Sequence, residues 1–367
     1  MRVFSASEAS GQFGAAFHPS HGPSSWASET MENGVVPYSM STPIDERRAA
    51  ELDSDARALL DTLVEEGAPD LTHQSPEQAR ALLGGLFTPA DDPEPVAAVA
   101  ERKIPAYARD IRVRIYDPDP NETLPAVVYF HGGGWVVGNL DTHDGVARSL
   151  ANEGNCVVVS VDYRKGPEHP FPAAVEDAYL SVKWTADNAD EIGAGEGLAV
   201  AGESAGGNLA TVVAQMAVEK GLDAPEIDHQ VLFYPVTDHS FDTPSYEENA
   251  DGFFLTTRGM VWFWNHYLRD DIDGANLRAS PLRAPRRTLA ELPPATLFTC
   301  GYDPLRDEQF AYGEALADAD IPVDHTHYDD MIHDFANMRR LSEPFPGVEA
   351  ANDVRERAGE ALREAFE

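Results

Sequence analysis

Lysine occurs only four times in 367 residues, at Lys103, Lys165, Lys183 and Lys220. Arginine does not make up the deficit: Lys and Arg together number 27 against 63 Asp and Glu, a formal net charge of −36. A field of that sign repels nucleic-acid backbones and anionic headgroups, so neither nucleic acid nor a membrane surface is expected as a partner. The acidic residues are spread along the chain and not massed in one tail, which predicts a solvated whole-protein surface, read either as adaptation to molar salt, where the Debye length falls to about 3 Å and self-repulsion is screened, or as that of an ordinary acidic enzyme. Cysteine is scarce too. Cys156 and Cys300 each lie in an apolar run, which excludes a disulfide-dependent secreted fold and predicts two buried thiols and no metal site. No apolar run approaches the roughly 18 residues of a membrane-spanning helix, and the first 40 residues hold no secretory leader pattern. A cytoplasmic location is the resulting expectation.

What is present is enough for a large core: 43% of the residues are hydrophobic. Residues 1–40 are rich in Ser, Gly, Ala and Pro without periodicity and read as a disordered extension, leaving one domain over residues 41–367. Arg48, Leu52, Ala56, Leu59, Leu60 and Leu63 recur at helical spacing, and Ser75-Pro76 opens a second helix with a cap and a proline just inside it. Pro89 to Pro95 reads as a linker. An alternation of strands and helices follows. Ile111 to Tyr116 has the period of two of an edge or half-exposed strand, whereas Ala126 to Phe130 and Val157 to Val161 are continuously apolar, as parallel strands covered on both faces must be. Further strands are expected at Leu198–Ala201, Val231–Tyr234, Ala295–Cys300 and Val323–Tyr328, with helices between them and a closing helix from Val348. This is an α/β pattern with a mostly parallel sheet. About 60 residues between Tyr234 and Pro294 interrupt it, including the aromatic run Val261 to Leu268. The expectation is a helical cap built from residues 44–88 and 240–285, its aromatic residues candidates for the wall of an apolar pocket.

Ligands of open α/β sheets bind at the carboxyl ends of the strands, and four such ends carry chemistry. Gly202-Glu203-Ser204-Ala205-Gly206 sits between a strand and a helix, where a G-x-S-x-G turn presents a serine hydroxyl. His131-Gly132-Gly133-Gly134-Trp135 follows a buried strand, and its glycines leave backbone N–H groups free to meet a developing oxyanion. A phosphate loop would need Lys and Ser or Thr at fixed spacing, which are absent. Asp303 stands at a strand tip before Pro304, whereas Asp307 and Glu308 fall in the next helix's first turn, where carboxylates favour the dipole. His333 follows the last strand; His325 and His327 lie within it and read as structural. The order Ser204, Asp303, His333 is that of an α/β hydrolase.

These motifs, with Asp162-Tyr163-Arg164, Pro167-Glu168-His169-Pro170-Phe171-Pro172 and Asp303-Pro304-Leu305-Arg306-Asp307, resemble the hormone-sensitive-lipase-like family of α/β-hydrolase esterases over roughly residues 45–367. The resemblance implies a carboxylesterase without cofactor: Ser204 as nucleophile, His333 as base, Asp303 as its orienting acid, and Gly132, Gly133, Gly134 and Ala205 around an oxyanion hole. It places Glu168 and His169 behind the site. The expected partner is a small-molecule acyl ester of short to medium chain, with no nucleic acid, no membrane insertion, and a homodimer as the assembly. Amidase, thioesterase and long-chain lipase activities share this triad, and a non-catalytic receptor on the same fold would lose the histidine. The chain departs from the family at Lys165-Gly166, where Leu-Ala is usual, and at Asp334, where a glycine usually follows the histidine. The second change adds a carboxylate beside the base.

Overall fold

The computed structural model describes Pro43 and residues 46–88, 93–106 and 109–367. The expected extension over residues 1–40 and residues 89–92 of the expected linker lie outside them.

Apolar residues on both sides of a strand require cover on both faces, and the chain supplies it. The strands are β1 (Ala98–Ile104), β2 (Ile111–Asp117), β3 (Leu124–Phe130), β4 (Val157–Asp162), β5 (Ala194–Glu203), β6 (His229–Phe233), β7 (Ala295–Tyr302) and β8 (Val323–Ile332). They form one sheet in the order β1-β2-β4-β3-β5-β6-β7-β8. Only β2 runs against its neighbours; from β4 to β8 every pairing is parallel. The helices are α1 (Ser54–Glu65), α2 (Pro76–Phe87), α3 (Asp144–Gly154), α4 (Ala173–Asp187), α5 (Ala205–Lys220), α6 (Pro244–Glu248), α7 (Thr257–Tyr267), α8 (Arg286–Leu289), α9 (Arg306–Asp318) and α10 (Ala350–Ala365). One apolar layer joins the sheet to α4, α5 and α9, and a second joins it to α3 and α10. Cys156 and Cys300 are buried free thiols in the core, as their apolar runs predict.

Three elements differ from expectation. β1, which pairs outside β2, is not among the expected strands; it keeps only Ile104 fully buried and so lacks an apolar signature, while β2 is half-exposed as its period of two predicts. The first helix begins at Ser54 and not near Arg48, since the Asp53 carboxylate accepts from Asp55 N and Ala56 N and caps it there. Arg47 and Arg48 lie outside it, their guanidinium groups over the rings of Phe310 and Tyr302 at 4.0 and 4.5 Å. The last strand runs past Tyr328 to Ile332, which carries the chain directly to His333.

Candidate active site

Ser204 is the hinge between β5 and α5. Its backbone stands at φ 52°, ψ −115°, a conformation that costs a non-glycine residue on the order of 1–3 kcal/mol and persists only where its surroundings over-determine it. Two glycines make the turn possible. A Cβ at Gly202 would lie 2.3 Å from Gly206 O, and one at Gly206 would lie 1.9 Å from Phe130 O. The serine is thereby held at the carboxyl edge of the sheet, 6% exposed.

The structure brings the three expected side chains into one hydrogen-bonded chain. His333 Nδ1 is 2.7 Å from Asp303 Oδ2, and His333 Nε2 is 2.9 Å from Ser204 Oγ. The carboxylate can only accept, so Nδ1 donates to it and Nε2 is left to accept from the serine hydroxyl. Asp303 is fully buried; its Oδ1 accepts from Leu305 N at 2.8 Å and its Oδ2 also accepts from Gln309 Nε2 at 2.9 Å. Asn249 Nδ2 donates to the carbonyls of Gly301 and Asp303 at 3.1 and 3.0 Å, pinning the strand tip from the inserted segment. Gln309 and Asn249 carry no motif, and nothing in the sequence singles them out. Asp307 is occupied elsewhere: it accepts from Arg306 Nε and Ser245 N, both at 2.9 Å.

The glycine loop faces the serine across a cleft. Gly133 and Gly134 have φ of 109° and 55°, and both line a cavity of about 670 Å³ that also reaches Ser204 and His333. A Cβ at Gly134 would lie 2.2 Å from the Phe263 ring. Gly132 is not on the cavity wall; it packs against Glu203 and His143, whose Nε2 would be 3.4 Å from a Cβ there. Ala205 is the first residue of α5, next to Ser204. The loop is braced from below by Tyr163, whose ring stacks on His131 at 4.3 Å and whose hydroxyl donates to the His131 carbonyl at 2.8 Å. Arg80 braces it from the side, donating to the carbonyls of Val136 and Gly166 at 2.8 and 2.7 Å and to both Glu168 oxygens at 2.7 Å. Glu168 is thereby paired with Arg80 and is not among the residues that line the cavity.

Most of the remaining cavity wall is apolar, drawn from α1 and α2 (Leu63, Leu82, Leu83, Leu86), from Phe254 and Leu255, and from Met260 and Phe263 of α7, while Glu66, Asp70 and Asp334 put carboxylates on it. Trp264 and Tyr267 of the same helix turn inward instead and pack on Trp135 at 4.5 and 4.2 Å.

Residues 127–337 match the family of the alpha/beta hydrolase fold. The chain is 42% identical over 268 residues to the carboxylic ester hydrolase LipN of Mycobacterium tuberculosis, covering 72% of this chain and 71% of LipN. It is 39% identical over 297 residues to the carboxylesterase NlhH of the same species, covering 79% and 89%. A thermostable esterase from Pseudomonas putida superposes with a TM-score of 0.81 at 38% identity, over 87% of this chain and 99% of that one. The chain belongs to the hormone-sensitive-lipase-like family of α/β-hydrolase carboxylesterases. No helix among its described residues is long and apolar enough to cross a membrane.

Behind the serine of this esterase lies a buried polar cluster. Glu203 is fully buried; its Oε1 accepts from Tyr129 OH at 2.5 Å, and its Oε2 has no hydrogen-bond partner among the described residues. His143 faces it, Nε2 to Oε2, at 3.6 Å. Thr142 Oγ1 donates to the Asn139 carbonyl, so His143 Nδ1 donates to Thr142 at 2.8 Å and Nε2 presents a lone pair to the carboxyl group. Two acceptors in apposition call for a proton, and burial pushes Glu203 up to about 7. Asp334 completes the cluster. It takes the left-handed backbone, φ 70°, and burial, together with Glu203 and Asp303, raises its pKa well above the usual carboxylate range. The ligand-type atoms of His143, Glu203 and Asp334 lie within 4.8 Å of one another, which makes these the residues able to hold a metal ion among those described. The nearby Arg355 guanidinium, which favours an ionised Glu203, already supplies positive charge there. The left-handed position explains why glycine is usual after the histidine; the glutamate carries no sequence signal beyond its place in the pentapeptide.

Proposed function

We propose that this esterase hydrolyses short- to medium-chain acyl esters of small molecules through an acyl-enzyme on Ser204. The observation that carries the reading is the chain Ser204–His333–Asp303 opening on a mostly apolar cavity of about 670 Å³. His333 Nε2 takes the hydroxyl proton as Ser204 Oγ attacks the ester carbonyl, and Asp303 holds the imidazole tautomer and stabilises the imidazolium. Backbone N–H groups of Gly133, Gly134 and Ala205 receive the oxyanion, with Gly132 completing the loop that carries them. His333 then returns the proton to the leaving alcohol and activates the water that frees the acid. In this reading α1, α2 and the segment over residues 240–285 form the cap that closes the acyl pocket, and α7 is its central element.

The charge balance supports a second part of the proposal, adaptation to high salt. With 63 acidic and 27 basic residues, folding at low ionic strength concentrates unscreened negative charge, and molar KCl relieves it. Assays of wild type and Ser204→Ala on p-nitrophenyl esters of increasing chain length, at 0.1 and 2 M KCl, test both parts. Loss of turnover in Ser204→Ala, a peak at short to medium acyl chains and higher activity in salt are expected. Unchanged turnover in Ser204→Ala overturns the mechanism, and full activity and stability in dilute buffer overturn the salt adaptation.

A further inference from the structure

Two adjacent glycines stand inside the helix that helps to wall the ester cavity. Gly84 and Gly85 lie in α2, whose start is fixed by the reciprocal bonds of Ser75 and Gln78. Glycine in a helix interior is destabilising relative to alanine, because it surrenders the most backbone freedom on folding. It is normally kept where the backbone needs a positive φ, or where a neighbour leaves no room for a Cβ. Gly133 meets both conditions, with a φ of 109° and a Cβ that would lie 2.5 Å from Val137 O. Gly84 and Gly85 meet neither among the described residues. Both keep helical backbone, and a Cβ built on either would meet no described heavy atom within 4 Å.

The two differ in one respect. Gly85 lines the cavity that reaches Ser204 and His333, and Gly84 does not. Ala81, four residues earlier and so on the same face of α2, lines it as well, with Leu82 and Leu86 beside the pair. Gly85 is exposed, so the space beyond its Cα is open and not part of the core. At this position the wall gives up side-chain bulk and helix stability together, and the apolar groups around it suit an alkyl chain.

We propose that the acyl chain of the ester passes across Gly85, and that the missing side chain there sets the longest chain this esterase accepts. The assignment rests on the acyl-enzyme reading above and adds to it the residue that fixes chain length. Each methylene kept against an apolar wall is worth about 4-fold in affinity. A leucine at position 85 that displaces two or three methylenes therefore costs a long-chain ester about 15- to 60-fold. An ester too short to reach α2 has none of this contact to lose.

The test compares the full chain with Gly85→Ala, Gly85→Leu and Gly84→Leu in 2 M KCl, each checked by near-UV circular dichroism. Specificity constants are measured on p-nitrophenyl esters from acetate to dodecanoate, and on acetates of alcohols of increasing length. The ratio of kcat/KM for the longest acyl chain to that for butyrate should fall about 15- to 60-fold in Gly85→Leu and about 4-fold in Gly85→Ala. Gly84→Leu should keep the wild-type acyl profile. Alanine suits the helix better than glycine, so Gly85→Ala keeps the fold even where Gly85→Leu does not. An unchanged acyl profile in the folded Gly85 variants, an equal shift in Gly84→Leu, or a shift confined to the alcohol series overturns the proposal. Ester turnover that survives Ser204→Ala would overturn the acyl-enzyme reading instead, so the two fail separately.

Discussion

Glu203→Gln should make this esterase more stable at neutral pH, and by an amount that depends on pH in a defined way. The folded carboxyl is pushed from an ordinary 4.5 to about 7 by burial, whereas in the unfolded chain it titrates normally. Below about pH 4.5 both states are protonated and the group costs nothing. Between 4.5 and 7 the unfolded state ionises first, and wild type loses stability at about 1.4 kcal/mol per pH unit. Above 7 the loss is complete, at about 3 kcal/mol. Glutamine escapes this loss and keeps the local bonds: its Oε1 still accepts from Tyr129 OH, and its amide turns a donor toward the lone pair on His143 Nε2, where wild type sets an acceptor at 3.6 Å. Denaturant unfolding of both proteins in 2 M KCl at pH 4.5, 6 and 8 measures the difference. Near-equality at pH 4.5 and a gain of about 2–3 kcal/mol at pH 8 are predicted. A gain of the same size at every pH, or a variant less stable than wild type at pH 8, would refute the reasoning.

Asp334→Asn follows the same logic. Its folded carboxyl is also raised, so wild type loses stability as pH climbs above 3.8, and the variant should gain on it between pH 5 and 8 in urea unfolding; a variant that gains nothing over that range contradicts the burial of this carboxyl. Gln309→Leu removes one of the donors on Asp303 Oδ2; kcat should fall about 10-fold with KM little changed, the scale of one hydrogen bond to a charged acceptor, and steady-state kinetics in which KM alone rises would contradict it. Gly134→Ala places a Cβ 2.2 Å from the Phe263 ring at a φ of 55°, so ester turnover should drop on the order of 100-fold, as when an oxyanion donor is displaced. Arg80→Ala deletes bonds to Val136 O, Gly166 O and Glu168; a thermal midpoint lowered by several degrees, measured by calorimetry, is expected from about 1–2 kcal/mol of lost bracing.

How far the chain could be read in advance depended on where its residues spend their apolar surface. The strands β3, β4, β6 and β7 and the second half of β5 are buried on both faces and hold continuous apolar runs, whereas β1 shows solvent three charged residues in succession, Glu101, Arg102 and Lys103, and leaves no pattern to read. The loops at the strand ends were legible because their chemistry demands particular residue types at fixed places in chain order, and that order picked out the three side chains that the fold links through His333. The bracing of Asp303 by Gln309 and Asn249 was not legible: an amide that acts at a distance of 6 or 54 residues leaves no local spacing. The aromatic segment was legible only as a group. Its division, with Met260 and Phe263 on the cavity and Trp264 and Tyr267 turned onto Trp135, is decided by helix phase against a distant loop. Glu203 was invisible for the same reason: burial by Tyr129 and His143 gives it its character, and both come from other elements.

The central claim is that Ser204 carries the acyl group. Inactivation by a p-nitrophenyl phosphonate, followed by peptide mapping in the mass spectrometer, tests it most directly. The account predicts one phosphonyl group per chain, on the peptide containing Ser204, appearing in step with loss of esterase activity and absent from Ser204→Ala. Full modification of Ser204 with ester turnover intact, or inactivation with the label on another residue, would contradict it.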